Sequence, residues 1–282
     1  PGHGAGSACG KKIGDQPSTT IGQERRFNYA FRESERDAFR RAILEDMPSA
    51  PTYYPVLKRV NKVGPALLRA LPDGDALSTE EVARRMEQGA LVVDARTPDA
   101  FGLGHVPGAV FAGLGPNFTA WMGWLAPYEQ DIILVLEHDD DFAHARTELR
   151  RIGLDRVAGY LAGGMSAWLD AGREMQDLPQ MSVEELHERR VTGDLAVLDV
   201  RSPDEWQSGH IPGANYRYVA DIIRGADSVP AEEPLAMICG SGYRSSVASS
   251  ILQRQGRTHL INVTGGMGAW QGAGFETTTS DE

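Results

Sequence analysis

Short apolar runs alternate with amphipathic stretches along the chain from about residue 75 onward. The runs at 91–93, 132–136, 195–200 and 235–238 are bounded by Asp, Gly, Pro or other polar residues, which is typical of buried strands. The segments between them have the apolar spacing of surface helices. Strands that alternate with helices in this way predict an α/β fold, with mainly parallel sheets that carry helices on both faces.

The pattern occurs twice. VVDARTPDAF at 92–101 returns as VLDVRSPDEW at 197–206, GHVPGA at 104–109 as GHIPGA at 209–214, and GGMSAW at 163–168 as GGMGAW at 265–270. Ser78 and Ser182 each precede a Glu-Glu pair and predict capping boxes that start short helices. The sequence therefore predicts two tandem copies of one domain, at 75–175 and 178–276, with a boundary in the polar segment 173–180.

The first 65 residues have a different character. They begin PGHGAGSACG, predict one helix at 33–45 and continue into an aromatic, Pro-bounded segment at 51–55. An isolated helix of this length has marginal stability, so it should pack against the tandem copies or against a missing partner. Pro1 stands in a loop-like sequence, and we expect the chain to be a fragment of a longer protein.

Residues 239–245, CGSGYRS, form what we call the cysteine loop. Cys239 ends an apolar strand, and a helical run at 246–255 follows. Inward N–H groups and the positive end of a helix dipole favour an anion there, so the thiol should ionise readily. Gly240 and Gly242 permit a tight backbone, and Arg244 adds a fixed positive charge. The alternative is a buried, inert cysteine.

Composition narrows the range of partners. A net charge of -11 and a pI near 5.2 argue against nucleic acid or an anionic membrane. The sequence predicts neither a membrane span nor a signal peptide, and a cytoplasmic location is expected. Only Cys9 and Cys239 occur, which excludes a disulfide scaffold and a cysteine-based zinc site. No metal or other cofactor is predicted.

The repeated Asp-x-Arg, the Gly-His-x-Pro-Gly-Ala turn, the Cys-x-x-Gly-x-Arg-Ser loop and the final Gly-Gly-Met-x-Ala-Trp together resemble the rhodanese family of sulfurtransferases over about 75–276. The resemblance implies that Cys239 attacks a small anionic donor, thiosulfate or a persulfide, and passes the sulfur to cyanide, sulfite or a thiol. Arg244 would orient the loop or hold the donor. The substrate and the anionic sulfur would be bound by Gly240, Ser241, Gly242, Tyr243 and Ser245.

Loop length separates this hypothesis from phosphatase chemistry. Related cysteine phosphatases and arsenate reductases place five residues between Cys and Arg, which makes room for a tetrahedral oxyanion. Here four residues, 240–243, lie between Cys239 and Arg244. The tighter loop favours a single sulfur atom over a phosphate.

Motif residues found in both copies are expected to be structural, because one copy lacks the thiol. Asp199 and Arg201, which repeat Asp94 and Arg96, predict an ion pair at the strand end. Structural roles are likewise expected for the histidine of the turn in each copy, His105 and His210. The same holds for the tryptophan of the final motif in each copy, Trp168 and Trp270.

The first copy is predicted to be inactive. Alignment places Leu136 opposite Cys239 and Asp141 opposite Arg244. The loop at 137–141, EHDDD, carries four carboxylates and no glycine, so it would repel the anions that the second loop attracts. Metal binding by His138, His144 and the aspartates is the alternative to a solvated acidic surface.

Residues 1–65 more loosely resemble the C-terminal end of metallo-β-lactamase-fold proteins of the persulfide dioxygenase and glyoxalase II type. Gly2-His3-Gly4 would match a loop whose histidine can bind metal, although the His-x-His-x-Asp-His cluster of that fold does not occur in this sequence. The resemblance implies a fusion of such a domain with two rhodanese domains.

The alternative to an enzyme is that the protein is a non-catalytic binding or regulatory module.

Overall fold

The structure is a computed structural model that describes residues 18–45, 51–193, 195–225, 229–231 and 233–279. The chain divides into two compact units, Pro1–Pro51 and Thr52–Glu282. The sequence motif that contains His3 and Cys9 lies outside the described residues. None of the helices in the described ranges is long and apolar enough to cross a membrane.

The described part of the first unit is helical. It contains α1 (Ile21–Phe27), a 3-10 turn and α2 (Arg36–Leu44), which occupies most of the helix predicted at 33–45. Thr20 and Gln23 form a reciprocal capping box that starts α1. Several large apolar side chains are exposed in this unit: Ile21, Phe27, Phe31, Phe39 and Leu44.

The second unit begins with α3 (Tyr54–Val63) and then forms two domains of the same architecture. The first domain contains β1 (Asp75–Leu77), α4 (Thr79–Glu87), β2 (Leu91–Asp94), α5 (Pro98–Leu103), β3 (Val110–Phe111), α6 (Phe118–Leu125), β4 (Ile132–Val135), α7 (Phe142–Arg151), β5 (Val157–Leu161) and α8 (Gly164–Asp170). The second contains β6 (Gln180–Met181), α9 (Val183–Thr192), β7 (Ala196–Asp199), α10 (Pro203–Gln207), β8 (Asn215–Tyr216), α11 (Val219–Ile223), β9 (Leu235–Ile238), α12 (Tyr243–Arg254), β10 (Leu260–Val263) and α13 (Gly266–Gly272).

Each domain has a five-stranded parallel sheet, with the strand orders β1-β5-β4-β2-β3 and β6-β10-β9-β7-β8. The predicted α/β fold with parallel sheets is therefore confirmed. The four apolar runs correspond to β2, β4, β7 and β9, which pair next to each other in each sheet. In the second sheet Asp199 pairs with Ile238, so the residues that follow both strands meet at one edge.

The helix starts differ in detail from the predicted capping boxes. Ser78 accepts a hydrogen bond from the N–H of Glu81, but the Glu81 carboxylate pairs with Arg84 and Arg85 instead of turning back to the cap. A complete capping box forms at Ser202, which exchanges hydrogen bonds with Glu205 at the start of α10. This box fixes the Glu205 side chain close to the cysteine loop.

The two domains share part of their hydrophobic core. One buried cluster joins Phe101 and Phe111 of the first domain to Val247 and Leu252 of α12 in the second. Trp168 and Trp270 are buried within their own domains, as expected, and their indole N–H groups donate to main-chain carbonyls of the following loops.

Candidate active site

The non-helical part of the cysteine loop is shorter than the sequence predicts. Cys239 follows β9 directly, and α12 begins at Tyr243 instead of the predicted 246. Gly242 adopts a left-handed conformation with φ of 96°, which lets the chain turn into the helix at once. Arg244 and Ser245 therefore lie in the first turn of α12, next to the positive end of its dipole.

Two groups of the loop are within hydrogen-bond distance of the Cys239 sulfur. The Gly242 N–H donates to Sγ at 3.2 Å, and the Ser245 hydroxyl oxygen lies 3.4 Å from Sγ. The same hydroxyl is 2.6 Å from Asn262 Oδ1, so its single proton can be directed to either acceptor. Cys239 has no exposed surface. A charged sulfur in this position would be stabilised mainly by these protein dipoles.

Asn262 is a site residue that the sequence reasoning missed. Its side-chain amide donates to Gln180 Oε1 at 2.8 Å, which leaves Oδ1 facing Ser245. The available signal was a polar residue inside the apolar strand β10, where it is buried. Buried polar side chains require partners, and this one supports the serine beside the thiol.

The Arg244 guanidinium is held by a second missed residue, Glu205. Nη1 and Nη2 of Arg244 lie 2.5 and 2.7 Å from the two carboxylate oxygens of Glu205. The hydrogen bond with Arg244 is the main reason that the pKa of Glu205 is lowered to about 2. The pKa of Arg244 is raised, first by Glu205 and also by Cys239. Arg244 is thus held in the first turn of α12 by the Glu205 carboxylate, and this geometry favours an orienting role.

The Gly-Gly-Met motif at the start of α13 packs against the cysteine loop. The N–H groups of Met267 and Gly268 donate to the carbonyls of Cys239 and Gly240 at 2.7 and 3.0 Å. Gly266 has a φ of +53°, and a Cβ there would lie 2.2 Å from the Cys239 carbonyl oxygen. The backbone of α13 therefore packs directly on the loop, which explains the glycine at this position.

The remaining predicted binding residues lie at different places. Ser241 is exposed at the loop tip, and Gly240 is half-buried. The Tyr243 side chain turns away from the sulfur, and its hydroxyl donates to the carbonyl of Gly113 in the first domain at 3.0 Å. Gly242 and Ser245 are thus the predicted binding residues with a hydrogen bond to Sγ among those described.

The predicted structural residues brace the neighbouring turn. Arg201 forms a buried ion pair with Asp199, with Nη2 and Oδ2 2.6 Å apart, and donates to the carbonyl of Gly209. His210 stacks on Trp206 with ring centroids 3.4 Å apart, and its Nδ1 lies 3.0 Å from the Trp206 carbonyl. The first domain repeats both arrangements with its own residues: Asp94, Arg96, Gly104, Phe101 and His105. Burial is the main reason that the pKa of His105 is lowered to about 4.

The first domain has different side chains at the positions of the thiol and of the polar groups around it. Leu136 follows β4 as Cys239 follows β9, and Asp141 stands at the position of Arg244. Phe142 and Tyr160 occupy the places of Ser245 and Asn262, and their rings pack 4.7 Å apart. Ala100 stands where the second domain has Glu205. An aromatic contact here takes the place of the polar network.

A cavity of about 520 Å³ remains at this edge of the first domain, between the loop after β2 and the acidic loop after β4. Glu137, Asp141, His144 and Tyr243 line part of it. Within the described ranges, no group of three or more His, Cys, Asp or Glu side chains is arranged to hold a metal ion. The metal alternative for the acidic loop therefore has no support from the described residues.

Comparison with known proteins agrees with the architecture. The model of the rhodanese-like domain family matches residues 78–171 and 182–273. The chain therefore belongs to the rhodanese family, a sulfurtransferase family, and carries two rhodanese-like domains in tandem.

Individual relatives match one domain or part of the chain. The chain is 33% identical over 97 residues to the putative sulfur carrier protein YrkF of Bacillus subtilis (strain 168), covering 34% of this chain and 52% of YrkF. It is 32% identical over 80 residues to the thiosulfate sulfurtransferase GlpE of Pseudoalteromonas translucida (strain TAC 125), covering 28% of this chain and 76% of GlpE. The chain thus spans about half the length of YrkF.

Among solved structures, a metallo-beta-lactamase from Staphylococcus aureus subsp. aureus COL is 32% identical, with a TM-score of 0.46. The match covers 57% of this chain and 44% of that chain.

Proposed function

We propose that this protein transfers sulfane sulfur from thiosulfate or a persulfide, through a persulfide on Cys239, to a thiophilic acceptor such as cyanide, sulfite or a thiol. The observation that carries the proposal is the pair of hydrogen-bond donors on Sγ, Gly242 N–H and Ser245 Oγ–H, at the start of α12. The first domain, with the same fold and no thiol, has Phe142 in place of the donor Ser245 and lacks the Glu–Arg pair.

The two half-reactions follow from this geometry. The Cys239 thiolate attacks the outer sulfur of thiosulfate, a new S–S bond forms, and sulfite leaves with the electron pair of the bond that breaks. An acceptor nucleophile then attacks the outer sulfur, and Cys239 leaves as a thiolate. The donors on Sγ stabilise the anionic sulfur in both steps, and losing one such donor typically costs about 10² to 10³ in rate.

Burial of the thiol has two consequences. It excludes water from the thiolate and from the persulfide, which protects the intermediate. It also requires the loop or its neighbours to move before a donor can enter. The net charge of -11 supports a small-molecule or thiol acceptor over nucleic acid or an anionic membrane.

Intact mass after incubation with thiosulfate tests the proposal. We expect the wild-type protein to gain the mass of one sulfur atom and Cys239→Ser to gain none. Cys9→Ser is the matched control, because it removes the other cysteine and should leave the adduct unchanged. An adduct that persists in Cys239→Ser, or no adduct in the wild type, would falsify the proposal. Thiocyanate formation with cyanide then measures turnover.

A non-catalytic binding or regulatory role is the second candidate. It is favoured by the first domain, where Phe142 and Tyr160 fill the equivalent of the serine–asparagine network. Such a module would take up sulfur on Cys239 without releasing it to any acceptor, or would take up none. The acceptor assay therefore separates the two candidates.

We also propose that residues 1–65 are the end of a metallo-β-lactamase-fold domain of the persulfide dioxygenase type. The support is the sequence PGHGAGSACG at residues 1–10. Sequencing the gene upstream of Pro1 tests this, because the His-x-His-x-Asp-His cluster of that fold should be encoded there. An upstream sequence without that cluster would contradict it.

A further inference from the structure

Helix α12, which carries Arg244 and Ser245, is buried on nearly all sides. Its buried residues are Ser245, Ser246, Val247, Ala248, Ser249, Ser250, Leu252 and Gln253. The equivalent helix of the first domain, α7, buries only Phe142, Ala145 and Leu149 and exposes its other face. The difference arises because the first domain packs against α12.

Hydrogen bonds attach α12 to the rest of the unit at its start, middle and end. The Tyr243 hydroxyl donates to the Gly113 carbonyl at 3.0 Å, and the Phe111 N–H donates to Ser250 Oγ at 3.0 Å. At the far end, Gln253 Nε2 donates at 2.7 Å to the carbonyl of Asp177, in the segment that joins the domains. The helix is therefore fixed to the first domain, not only to its own sheet.

Tyr243 is the member of the cysteine loop that makes this attachment. It lies between Gly242, whose N–H donates to Sγ, and Arg244, which pairs with Glu205. Its ring packs edge-on against Phe111 with centroids 5.2 Å apart. A displacement of Tyr243 would therefore move both neighbours, because all three lie within one turn of backbone.

The first domain is shaped to receive this side chain. Gly113 is buried, and a Cβ added there would lie 3.2 Å from Tyr243 Cε2 and 2.9 Å from the Arg96 carbonyl oxygen. Gly113 and Tyr243 also border the cavity beside the acidic loop. The edge of the first domain that carries the acidic loop and the cysteine loop of the second domain thus share one contact.

We propose that Tyr243 is a positioning residue through which the first domain holds the cysteine loop in its reactive geometry. This inference deepens the proposed function and rests on it, because it assigns the domain without a thiol a role in sulfur transfer. Tyr243 acts on the reaction by fixing the Gly242 amide and Arg244, and its hydroxyl makes no contact with Sγ among the described hydrogen bonds.

Two readouts test the proposal on the full chain. The first is the rate of Cys239 alkylation by iodoacetamide as a function of pH, followed by intact mass in a Cys9→Ser background. The second is the single-turnover rate of sulfur uptake from thiosulfate. We expect Tyr243→Phe to move the midpoint of the alkylation profile to higher pH and to slow sulfur uptake by about 3- to 10-fold, the effect of losing one hydrogen bond.

Tyr128→Phe is the matched control. The Tyr128 hydroxyl donates to the Ile152 carbonyl at 2.8 Å within the first domain, so its loss removes the same kind of bond away from the loop. We expect this variant to keep the wild-type alkylation profile. Gly113→Ala changes the contact from the first domain's side and should shift the profile in the same direction as Tyr243→Phe.

The proposal is overturned if Tyr243→Phe keeps the wild-type alkylation profile, or if Tyr128→Phe shifts it equally. The alkylation arm needs no sulfur donor, so it is independent of the proposed function. If the wild-type protein takes up no sulfur but Tyr243→Phe still shifts alkylation, sulfur transfer fails while the positioning of the thiol stands.

Discussion

The Glu205–Arg244 pair connects a helix cap to the thiol, and its energetic contribution depends on pH. The folded-state pKa of Glu205 is about 2, below the ordinary value of 4.5, mainly because of Arg244. A lowered carboxyl pKa contributes stability that is fully present above the unfolded value. That contribution is lost as the pH falls from about 4.5 towards 2.

We predict that Glu205→Gln lowers the free energy of unfolding by about 1 kcal/mol at pH 7, a value kept small because the pair is partly exposed. The difference from wild type should stay constant from pH 7 to about pH 5 and then shrink as urea unfolding is measured down to pH 3. Glu81→Gln is a useful comparison, because the pKa of Glu81 is also lowered to about 2, through hydrogen bonds with Arg84 and Arg85 of its own helix. A difference for Glu205→Gln that stays constant down to pH 3 would contradict the prediction.

The ion pairs of Glu205 and Glu81 should also differ in their dependence on salt. The Glu81 pairs join neighbouring side chains of one helix, and about half of the Arg84 side chain is exposed, so these pairs should be screened by about 1 M salt. The Glu205 carboxylate is held in addition by the hydroxyl of its Ser202 cap, and its pair with Arg244 joins two different helices, so its effect should survive better.

Site residues were predictable where their chemistry stands in one contiguous stretch. Cys239, Gly242, Arg244 and Ser245 lie within one loop, so their types and spacing indicated a thiol with nearby donors. Glu205 lies 39 positions before Arg244 in the chain, and Asn262 lies 17 after Ser245, so neither pairing follows from local spacing. The available signal for Glu205 was the difference between the two copies, because the first copy has Ala100 at the equivalent position.

At the scale of elements, the junction between β9 and α12 is held by the start of α13. Gly266 brings its backbone so close to the cysteine loop that a Cβ would meet Cys239 O at 2.2 Å and Ser241 N at 2.7 Å. Its counterpart in the first domain, Gly164, also has a positive φ, but the nearest atom to a Cβ there is Leu136 O at 3.2 Å. The same motif is therefore under different steric constraints in the two domains.

We predict that Gly266→Ala slows sulfur uptake by at least about 10-fold, because one displaced loop donor alone has such an effect. Gly164→Ala should leave the rate near that of wild type and cost about 1 kcal/mol of stability, the strain of a left-handed alanine. Single-turnover mass spectrometry and urea unfolding measure the two effects. Equal rates in the two variants would show that α13 does not support the loop.

Sequence patterns located the central strands β2, β4, β7 and β9 but not the short edge strands β1, β3, β6 and β8, and they placed the start of α12 too late. Small polar residues such as Ser245 and Ser246 were counted outside or at the edge of the helix, because they usually favour caps and turns. In the structure they are buried inside the first turns by contacts from other elements. Tertiary packing, which no local pattern contains, decides the helix start here.

At the scale of the whole molecule, the shared core makes the second unit more than two linked domains. Phe111 is fully buried and belongs to the cluster that also contains Cys239 and Val247. Leu161, equally buried, belongs to a cluster made of first-domain residues. The tandem repeat was evident from the sequence, but the burial of α12 between the domains was not, since its polar serines predict an exposed face.

A shared core predicts that the two domains unfold together, as one transition in scanning calorimetry. Leu161→Ala should lower the temperature of that transition without splitting it, at a cost of about 2 to 5 kcal/mol. Phe111→Ala should cost about 3 to 5 kcal/mol and split the transition, because it removes side-chain contacts that join the domains. If Leu161→Ala instead produces two transitions, one of them at the wild-type temperature, the domains fold independently. The first domain would then have no energetic hold on the cysteine loop beyond the contact at Tyr243.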